Sequence, residues 1–231
     1  MDNQVIVKPS LYDLPDEVLL PLMITLNDTT LLNMTRVCKR FKAIAKEAFM
    51  KNIKTGHLLS LSEQNLVDCS QSYENLGCNG GLAVDAFKYI TDHGIDAETS
   101  YPYSGTELSV YNLNAKKSNV TVKGFVRIPS GNEEEMQKAL AFHGPVAASI
   151  DASHDSFDHI SHDIYHEPAC SSTNLDHLVL VVGYGTDHYN RDYYIVKNSW
   201  GTTWGEMDYF RISRNQMNHC GIATRAVIPI I

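Results

Sequence analysis

Two stretches in the C-terminal part of the chain decide its fold class. Residues 175–185 read LDHLVLVVGYG, and residues 197–205 read KNSWGTTWG. The first stretch places Asp176-His177 ahead of an apolar strand that ends in a glycine-rich turn. The second stretch places Asn198 just before Trp200. Alone, a histidine at a strand start or an asparagine before a tryptophan is typical of a structural position, so the segments around them decide the interpretation.

The surrounding segments predict helices first and strands afterwards. Ser60 with Glu63 three residues later is typical of a capping-box helix start. A second helix is predicted from Leu82 to Asp92, ending at Gly94. The predicted strands are Val120–Lys123, Val146–Ile150, Leu178–Val182, Tyr193–Val196 and Tyr209–Ile212. This order predicts an α+β fold.

The composition is globular and divides the chain into two pieces. With 43% hydrophobic and 20% charged residues in 231, wholesale disorder is excluded. Residues 1–54 carry 8 Lys/Arg and 6 Asp/Glu, net +2, whereas residues 55–231 carry 11 and 21, net −10. The total of −8 argues against a general nucleic-acid binder. No stretch is long and apolar enough to suggest a membrane span.

The N-terminal piece predicts a small helical segment over residues 1–54. Residues 14–18 read LPDEV, residues 27–30 form an Asn/Asp/Thr turn, and residues 37–41 read VCKRF. In this order and spacing they resemble an F-box, a helical module that docks onto the Skp-type adaptor of cullin ubiquitin ligases. The resemblance covers residues 11–54 and implies such an adaptor as a possible partner. The alternative is a helical bundle fragment that buries its apolar stripe.

Residues 55–231 resemble the papain-like cysteine peptidases of the cathepsin L type. The motifs stand in the family's order: SLSEQNLVDCS at 60–70, GCNGGL at 77–82, GPV at 144–146, IDAS at 150–153, LDH at 175–177 and KNSWGTTWG at 197–205. The resemblance implies a truncated papain-like fold, with a helical half and a strand-rich, barrel-like half, behind the F-box-like segment.

The resemblance also implies roles for individual residues. His177 corresponds to the imidazole that pairs with a nucleophilic thiolate, and Asn198 to the side chain that orients it. Trp200 corresponds to the shield of that hydrogen bond. Asn79-Gly80-Gly81 would offer backbone groups to an extended peptide substrate or inhibitor. No cofactor is implied, and no metal site is expected for His154, His159, His162 and His166, despite their spacing.

The departures from the family pattern concern the nucleophile. A segment of the type Gln-Gly-x-Cys-Gly-Ser-Cys-Trp precedes the SLSEQ helix in the family, and these 231 residues contain none. Cys38 lies 17 residues before Thr55-Gly56, as the family's nucleophile does from its own Thr-Gly. However, Leu32 occupies the position of the oxyanion-hole Gln, and no Trp follows Cys38. Leu178 and Asp208 stand where the family has a small residue and a glycine.

The five cysteines follow from the same resemblance. Cys170 and Cys220 correspond to a conventional disulfide of the family. Cys78 corresponds to a cysteine whose partner lies in the segment that is absent here, and the partner position of Cys69 is Ser109. Cys69 and Cys78 are therefore predicted to lack their family partners.

Three functions remain open on the sequence alone. The first is a non-hydrolytic peptide-binding protein that retains His177 and Asn198 and is linked to a ubiquitin ligase. The second is an active cysteine endopeptidase, with Cys38 as nucleophile or with the usual nucleophile lost from the gene model. The third is a chimeric or pseudogene product without a selected function. No targeting segment is visible, so a cytoplasmic location is expected, although the resembled family is lysosomal or extracellular.

Overall fold

The computed structural model describes residues 60–107 and 120–230. The helices are α1 Glu63–Cys69, α2 Ala83–His93, α3 Glu133–His143 and α4 Asp155–Asp158, with 3₁₀ turns at Gln71–Tyr73, Gly77–Asn79 and His219–Gly221. The strands are β1 Gly124–Arg127, β2 Val146–Ile150, β3 Ile164–Tyr165, β4 His177–Thr186, β5 Asp192–Lys197, β6 Tyr209–Ser213 and β7 Ala226–Ile230.

The strands form one sheet, in the order β1-β7-β2-β4-β5-β6-β3. Neighbouring strands are antiparallel except β3 and β6, which run parallel. Two helices therefore precede a strand-rich part, and the α+β prediction is confirmed. The predicted strand at residues 120–123 was placed too early, since β1 begins at Gly124.

The first helix starts two residues later than the sequence pattern indicated. Its N-cap is Ser62, whose side chain accepts a hydrogen bond from the Asn65 backbone N–H at 2.9 Å. Ser60 instead offers its carbonyl to the Glu98 backbone N–H at 2.9 Å, so the predicted capping box is wrong. Two serines two residues apart both satisfy the cap preference. The long-range bond to Glu98 decides between them.

The second helix agrees closely with the prediction and ends at Gly94. This residue has φ +81° and ψ −173°, a conformation essentially restricted to glycine, which costs a residue with a side chain about 1–3 kcal/mol. The helix α3, in contrast, was not predicted. Asn132 caps it by accepting a hydrogen bond from the Glu135 backbone N–H at 3.0 Å, and Glu133 to Glu135 place carboxylates at its positive end.

The central strands separate two hydrophobic cores. Alternate residues of β4 face opposite sides of the sheet, because successive side chains of a strand alternate. Leu178 and Leu180 pack with the helices α1 and α2, in a core that includes Leu66 and Phe87. The other face of β4 encloses the second core, which includes Phe157, Tyr194, Val196 and Phe210. His177 begins β4 at the border of these two layers.

Within the described residues, no helix has both the length and the apolar composition needed to cross a bilayer. The predicted helices of the F-box-like segment and the candidate Cys38 lie outside the described residues.

A stacked histidine pair ties β3 and β6 to the turn before β7. The rings of His166 and His219 are parallel, with centroids 4.3 Å apart. The Glu167 backbone N–H donates to Nε2 of His219 at 3.0 Å, which requires an unprotonated nitrogen there. Burial, reinforced by the neighbouring His166, lowers the pKa of His219 to about 4 from the ordinary 6.5. The folded state therefore favours neutral His219.

This lowered pKa predicts a pH-dependent stability. Because the folded-state pKa lies below the unfolded value, the stabilisation is complete above pH 6.5 and is lost as the pH falls towards 4. Between pH 6.5 and 4, the free energy of unfolding should fall less steeply in His219→Gln than in the unsubstituted protein. The difference in slope should reach up to about 1.4 kcal/mol per pH unit. Urea unfolding between pH 7.5 and 4 measures it, with exposed His143→Gln as the control. Equal slopes in all three proteins would contradict this assignment.

Candidate active site

The sheet brings His177 and Asn198 to the same edge. His177 is the first residue of β4, and Asn198 directly follows the last residue of β5. These strands are antiparallel neighbours, with Leu180 paired to Lys197. The start of β4 therefore lies beside the end of β5. This brings His177 and Asn198 into contact although they are 21 residues apart in the sequence.

The two side chains form a short, buried hydrogen bond. Nε2 of His177 lies 2.8 Å from Oδ1 of Asn198, within the 3.5 Å limit for hydrogen bonding. The exposed fractions of the two residues are 8% and 4%. The juxtaposition expected from the sequence is thus present in the structure. We refer to it below as the His177–Asn198 pair.

The backbone next to Asn198 determines which ring nitrogen of His177 carries a proton. The same Oδ1 accepts a hydrogen bond from the Ser199 backbone N–H at 2.8 Å. A backbone N–H only donates, so the atom that faces it must be the amide oxygen of Asn198 and not its nitrogen. Since that oxygen accepts from both neighbours, Nε2 of His177 is the donor. In the neutral ring, Nδ1 is then the basic nitrogen.

Aromatic side chains enclose the pair. The ring of Trp200 lies 5.3 Å from that of His177, centroid to centroid, at an interplanar angle of 41°. Phe157 meets His177 edge-on at 6.0 Å and Trp200 at 5.3 Å. Trp204 lies 5.1 Å from Trp200 and completes the cluster. Removing water from a hydrogen bond strengthens it electrostatically, so this cluster favours a fixed imidazole orientation.

The predicted peptide-binding segment is only partly available for pairing. Gly80 donates its N–H to the Gly77 carbonyl at 3.3 Å and accepts from the Leu76 N–H at 2.8 Å. The N–H and carbonyl of Gly80 therefore form hydrogen bonds within the loop. No hydrogen bond within the described residues uses the N–H or carbonyl of Gly81. Of the three predicted residues, Asn79 is exposed and Gly81 half-buried, and Gly81 has the backbone suited to an added peptide strand.

The cysteines in the described residues do not supply an activated thiol. Cys170 and Cys220 form a disulfide with Cα atoms 4.8 Å apart, as predicted. Cys69 is a free thiol, and burial raises its pKa, which disfavours the reactive thiolate. Cys78 takes part in a disulfide, so its predicted unpaired state is wrong. That prediction assumed that only the family's usual partner segment could supply the second sulfur.

Two groups of side chains have the residue types of a metal site. One contains Cys170, His219 and Cys220, and the other contains Asp151, His154 and Cys170. Both depend on Cys170, whose sulfur is bonded to that of Cys220. Neither group therefore retains three ligands while the disulfide is intact.

Two features of the site were not predicted. Phe157 lies in the short helix α4, which gave no periodic signal, yet it contacts both His177 and Trp200. The backbone N–H of Ser199 fixes the Asn198 amide, and no side-chain pattern encodes it. An aromatic residue shortly after the IDAS motif was the available signal for Phe157.

Comparisons with known proteins place this site in a family. Residues 36–230 match the model of the papain family of cysteine proteases, and the chain belongs to that family. Residues 11–54 match the F-box-like model. The two matches overlap over residues 36–54, so the boundary predicted between residues 54 and 55 stays a prediction.

Two of the curated relatives are a cathepsin L and a cathepsin L-like peptidase. The chain is 58% identical over 179 residues to cathepsin L of Sarcophaga peregrina, and 56% identical over 179 residues to a cathepsin L-like peptidase of Aedes aegypti. Each match covers 77% of this chain and 52% of the relative. The chain therefore spans about half the length of the curated relatives it matches.

Solved structures confirm the fold. Digestive procathepsin L 3 of the Tenebrio molitor larval midgut is similar with a TM-score of 0.75 and 42% identity, covering 84% of this chain and 63% of that chain. Procathepsin L2 of the same tissue gives a TM-score of 0.76 at 36% identity, covering 87% and 65%. The papain-like α+β fold predicted from the sequence motifs is confirmed.

The hydrogen-bond argument predicts the tautomer of His177. At neutral pH its ring should carry the proton on Nε2, as measured by ¹⁵N shifts in long-range ¹H–¹⁵N spectra assigned with His177→Gln. Asn198→Ala removes the acceptor and should shift the ring to a mixture of tautomers. Ser199→Ala is the matched control, because it keeps the backbone N–H. An Nδ1–H tautomer in the unsubstituted protein would contradict the assignment.

Proposed function

We propose that the papain-like part of this chain binds extended peptides without cleaving them. The observation that carries the proposal is the His177–Asn198 pair, enclosed by aromatic rings and fixed in one tautomer by Ser199. In this proposal His177 and Asn198 keep the places of a catalytic imidazole and its orienting amide. Gly81 and Trp200 contact the bound peptide.

The backbone of Gly81 supports the peptide-binding half of the proposal. An extended peptide adds to a protein by pairing its own N–H and carbonyl groups with unused backbone partners. In the described part of the chain, no hydrogen bond uses the N–H or the carbonyl of Gly81, whereas the Gly80 groups are engaged within the loop. The backbone of Gly81 also lies outside the left-handed region, so other residues can adopt its conformation.

The sequence around Cys38 supports the non-hydrolytic half. Leu32 stands at the position of the oxyanion-hole Gln, and an oxyanion donor is worth about 10²–10³ in rate. The described cysteines offer no substitute thiolate, since Cys69 is half-buried and this burial raises the pKa of its thiol. In the proposal, a chain without a reactive thiolate and an oxyanion donor still orients its imidazole, but it has no nucleophile to attack a peptide bond.

The F-box-like match adds a protein partner to the proposal. In the proposal, residues 11–54 dock onto a Skp-type adaptor, and the papain-like part presents its ligand to a cullin ubiquitin ligase. This link predicts co-purification of the chain with such an adaptor, and loss of that association when residues 11–54 are deleted.

A second candidate function is an active cysteine endopeptidase that uses Cys38. The family match begins at residue 36 and so includes Cys38. This cysteine also keeps the family's 17-residue separation from Thr55-Gly56. The two candidates differ in one observable, which is turnover that depends on Cys38.

A turnover assay separates the two candidates. The purified chain should hydrolyse dipeptidyl fluorogenic substrates no faster than its Cys38→Ser variant, because it lacks an activated nucleophile with oxyanion donors. Rates are measured with and without a dithiol reductant, so that an oxidised cysteine does not mask activity. Hydrolysis that Cys38→Ser and His177→Gln both abolish would establish the endopeptidase instead.

Peptide affinity tests the binding half. Fluorescence anisotropy with a labelled peptide library selects a ligand, and its affinity is then compared between two variants. Gly81→Pro removes the backbone donor and should weaken binding about tenfold, the value of one hydrogen bond of about 1.4 kcal/mol. Gly81→Ala keeps the N–H and should bind at least threefold tighter than Gly81→Pro. No saturable binding by the unsubstituted chain, or equal affinities of the two variants, would contradict the assignment.

A further inference from the structure

Asp208 contacts the segment that carries Asn198 and Trp200. The contacts come from the backbone of Asp208 and from both of its carboxylate oxygens. It directly precedes β6 and adopts φ +71°, after Met207 with φ +57°. This left-handed conformation normally favours glycine. The sequence pattern of the family has a glycine at this position, so the interactions of the Asp208 side chain are a departure of this chain.

The carboxylate of Asp208 is fully engaged. Its Oδ1 accepts hydrogen bonds from the backbone N–H groups of Trp200 at 2.8 Å and Gly201 at 2.9 Å. Its Oδ2 pairs with Nζ of Lys197 at 3.0 Å. Asp208 is 2% exposed and Lys197 4% exposed. Such charge-assisted bonds, protected from water, are among the stronger polar contacts in proteins.

The backbone of Asp208 adds two further contacts. Its carbonyl accepts from the Asn198 N–H at 2.7 Å, and its own N–H donates to the Trp204 carbonyl at 2.9 Å. Together with the carboxylate, these bonds reach residues on both sides of Asn198 and Ser199. The short segment that points the Asn198 amide at His177 is therefore held at both ends by a single residue.

We propose that Asp208 is a positioning residue for the His177–Asn198 pair. It acts through the loop backbone, keeping the Asn198 oxygen in line with Nε2 of His177 and the Trp200 ring against the imidazole. Its effect on ligand affinity rests on the proposed function, because that effect requires a peptide bound beside the pair. Its effect on the His177 tautomer requires no ligand.

The alternative is an ion pair that stabilises the fold without influencing the site. Single substitutions do not separate the two, because removing one partner leaves the other charge buried and destabilises the protein. Two double variants do separate them. Lys197→Met with Asp208→Asn removes both charges and keeps an acceptor for the Trp200 and Gly201 N–H groups. Lys197→Met with Asp208→Gly removes both charges and the acceptor, and also relieves the backbone strain.

The tautomer of His177 is the first readout, by long-range ¹H–¹⁵N spectra. The double variant that carries Asp208→Asn should keep the Nε2–H form, and the one that carries Asp208→Gly should shift to a mixture of tautomers. Asp192→Asn is the control for general destabilisation. It removes an ion pair with Arg214 at 2.9 Å at the opposite end of β5, and should leave the tautomer unchanged.

Peptide affinity is the second readout. The double variant with Asp208→Gly should bind a selected peptide about tenfold more weakly than the one with Asp208→Asn, the equivalent of about 1.4 kcal/mol. If the unsubstituted chain binds no peptide, the proposed function fails while the tautomer comparison still tests Asp208. An unchanged tautomer in the folded Asp208→Gly double variant would overturn the positioning role.

Discussion

One oxygen atom determines the geometry of the site. Oδ1 of Asn198 accepts from the Ser199 backbone and from the His177 ring, and the first of these bonds dictates the direction of the second. The bond from Ser199 fixes the orientation of the Asn198 amide. That orientation sets the tautomer of His177 and so makes Nδ1 its basic nitrogen. The sheet makes the contact possible, because the antiparallel register of β4 and β5 places the two residues at one edge. The aromatic cluster of Phe157 and Trp200 packs against the His177 ring and helps to shield the hydrogen bond from water.

The structure separates orientation of the imidazole from supply of the nucleophile. Within the described residues, orientation of the imidazole comes from the loop between β5 and β6, which the carboxylate of Asp208 holds, and from the aromatic contact with Phe157 in α4. In the family's pattern the nucleophile comes from a segment ahead of the SLSEQ helix, and residues 36–54 match both family models there. A chain can therefore retain an ordered imidazole whether or not it cleaves peptides. Membership of the papain family alone does not decide its activity.

The sequence predicted elements whose signals are local, and failed where long-range contacts decide. The helix before Gly94 and the strand Val146–Ile150 were predicted because a terminating glycine and an apolar run are local signals. The cap of α1 was assigned to Ser60 instead of Ser62, because the bond from Glu98 is invisible in a local pattern. His177 and Asn198 were found by motif. The hydrogen bonds that engage the Gly80 backbone and the left-handed conformation of Asp208 were not predicted, because both depend on how the loops fold.

The most direct test of non-hydrolytic binding is intact-mass measurement after treatment with a papain-class peptidyl epoxide, beside Cys38→Ser. The epoxide alkylates an activated thiolate, so it reports the one group that the proposed function lacks. The account predicts no adduct on the reduced, folded chain, with the unreactive parent peptide still bound. A stoichiometric adduct that disappears in Cys38→Ser, accompanied by substrate hydrolysis, would contradict it and identify the protein as a working peptidase.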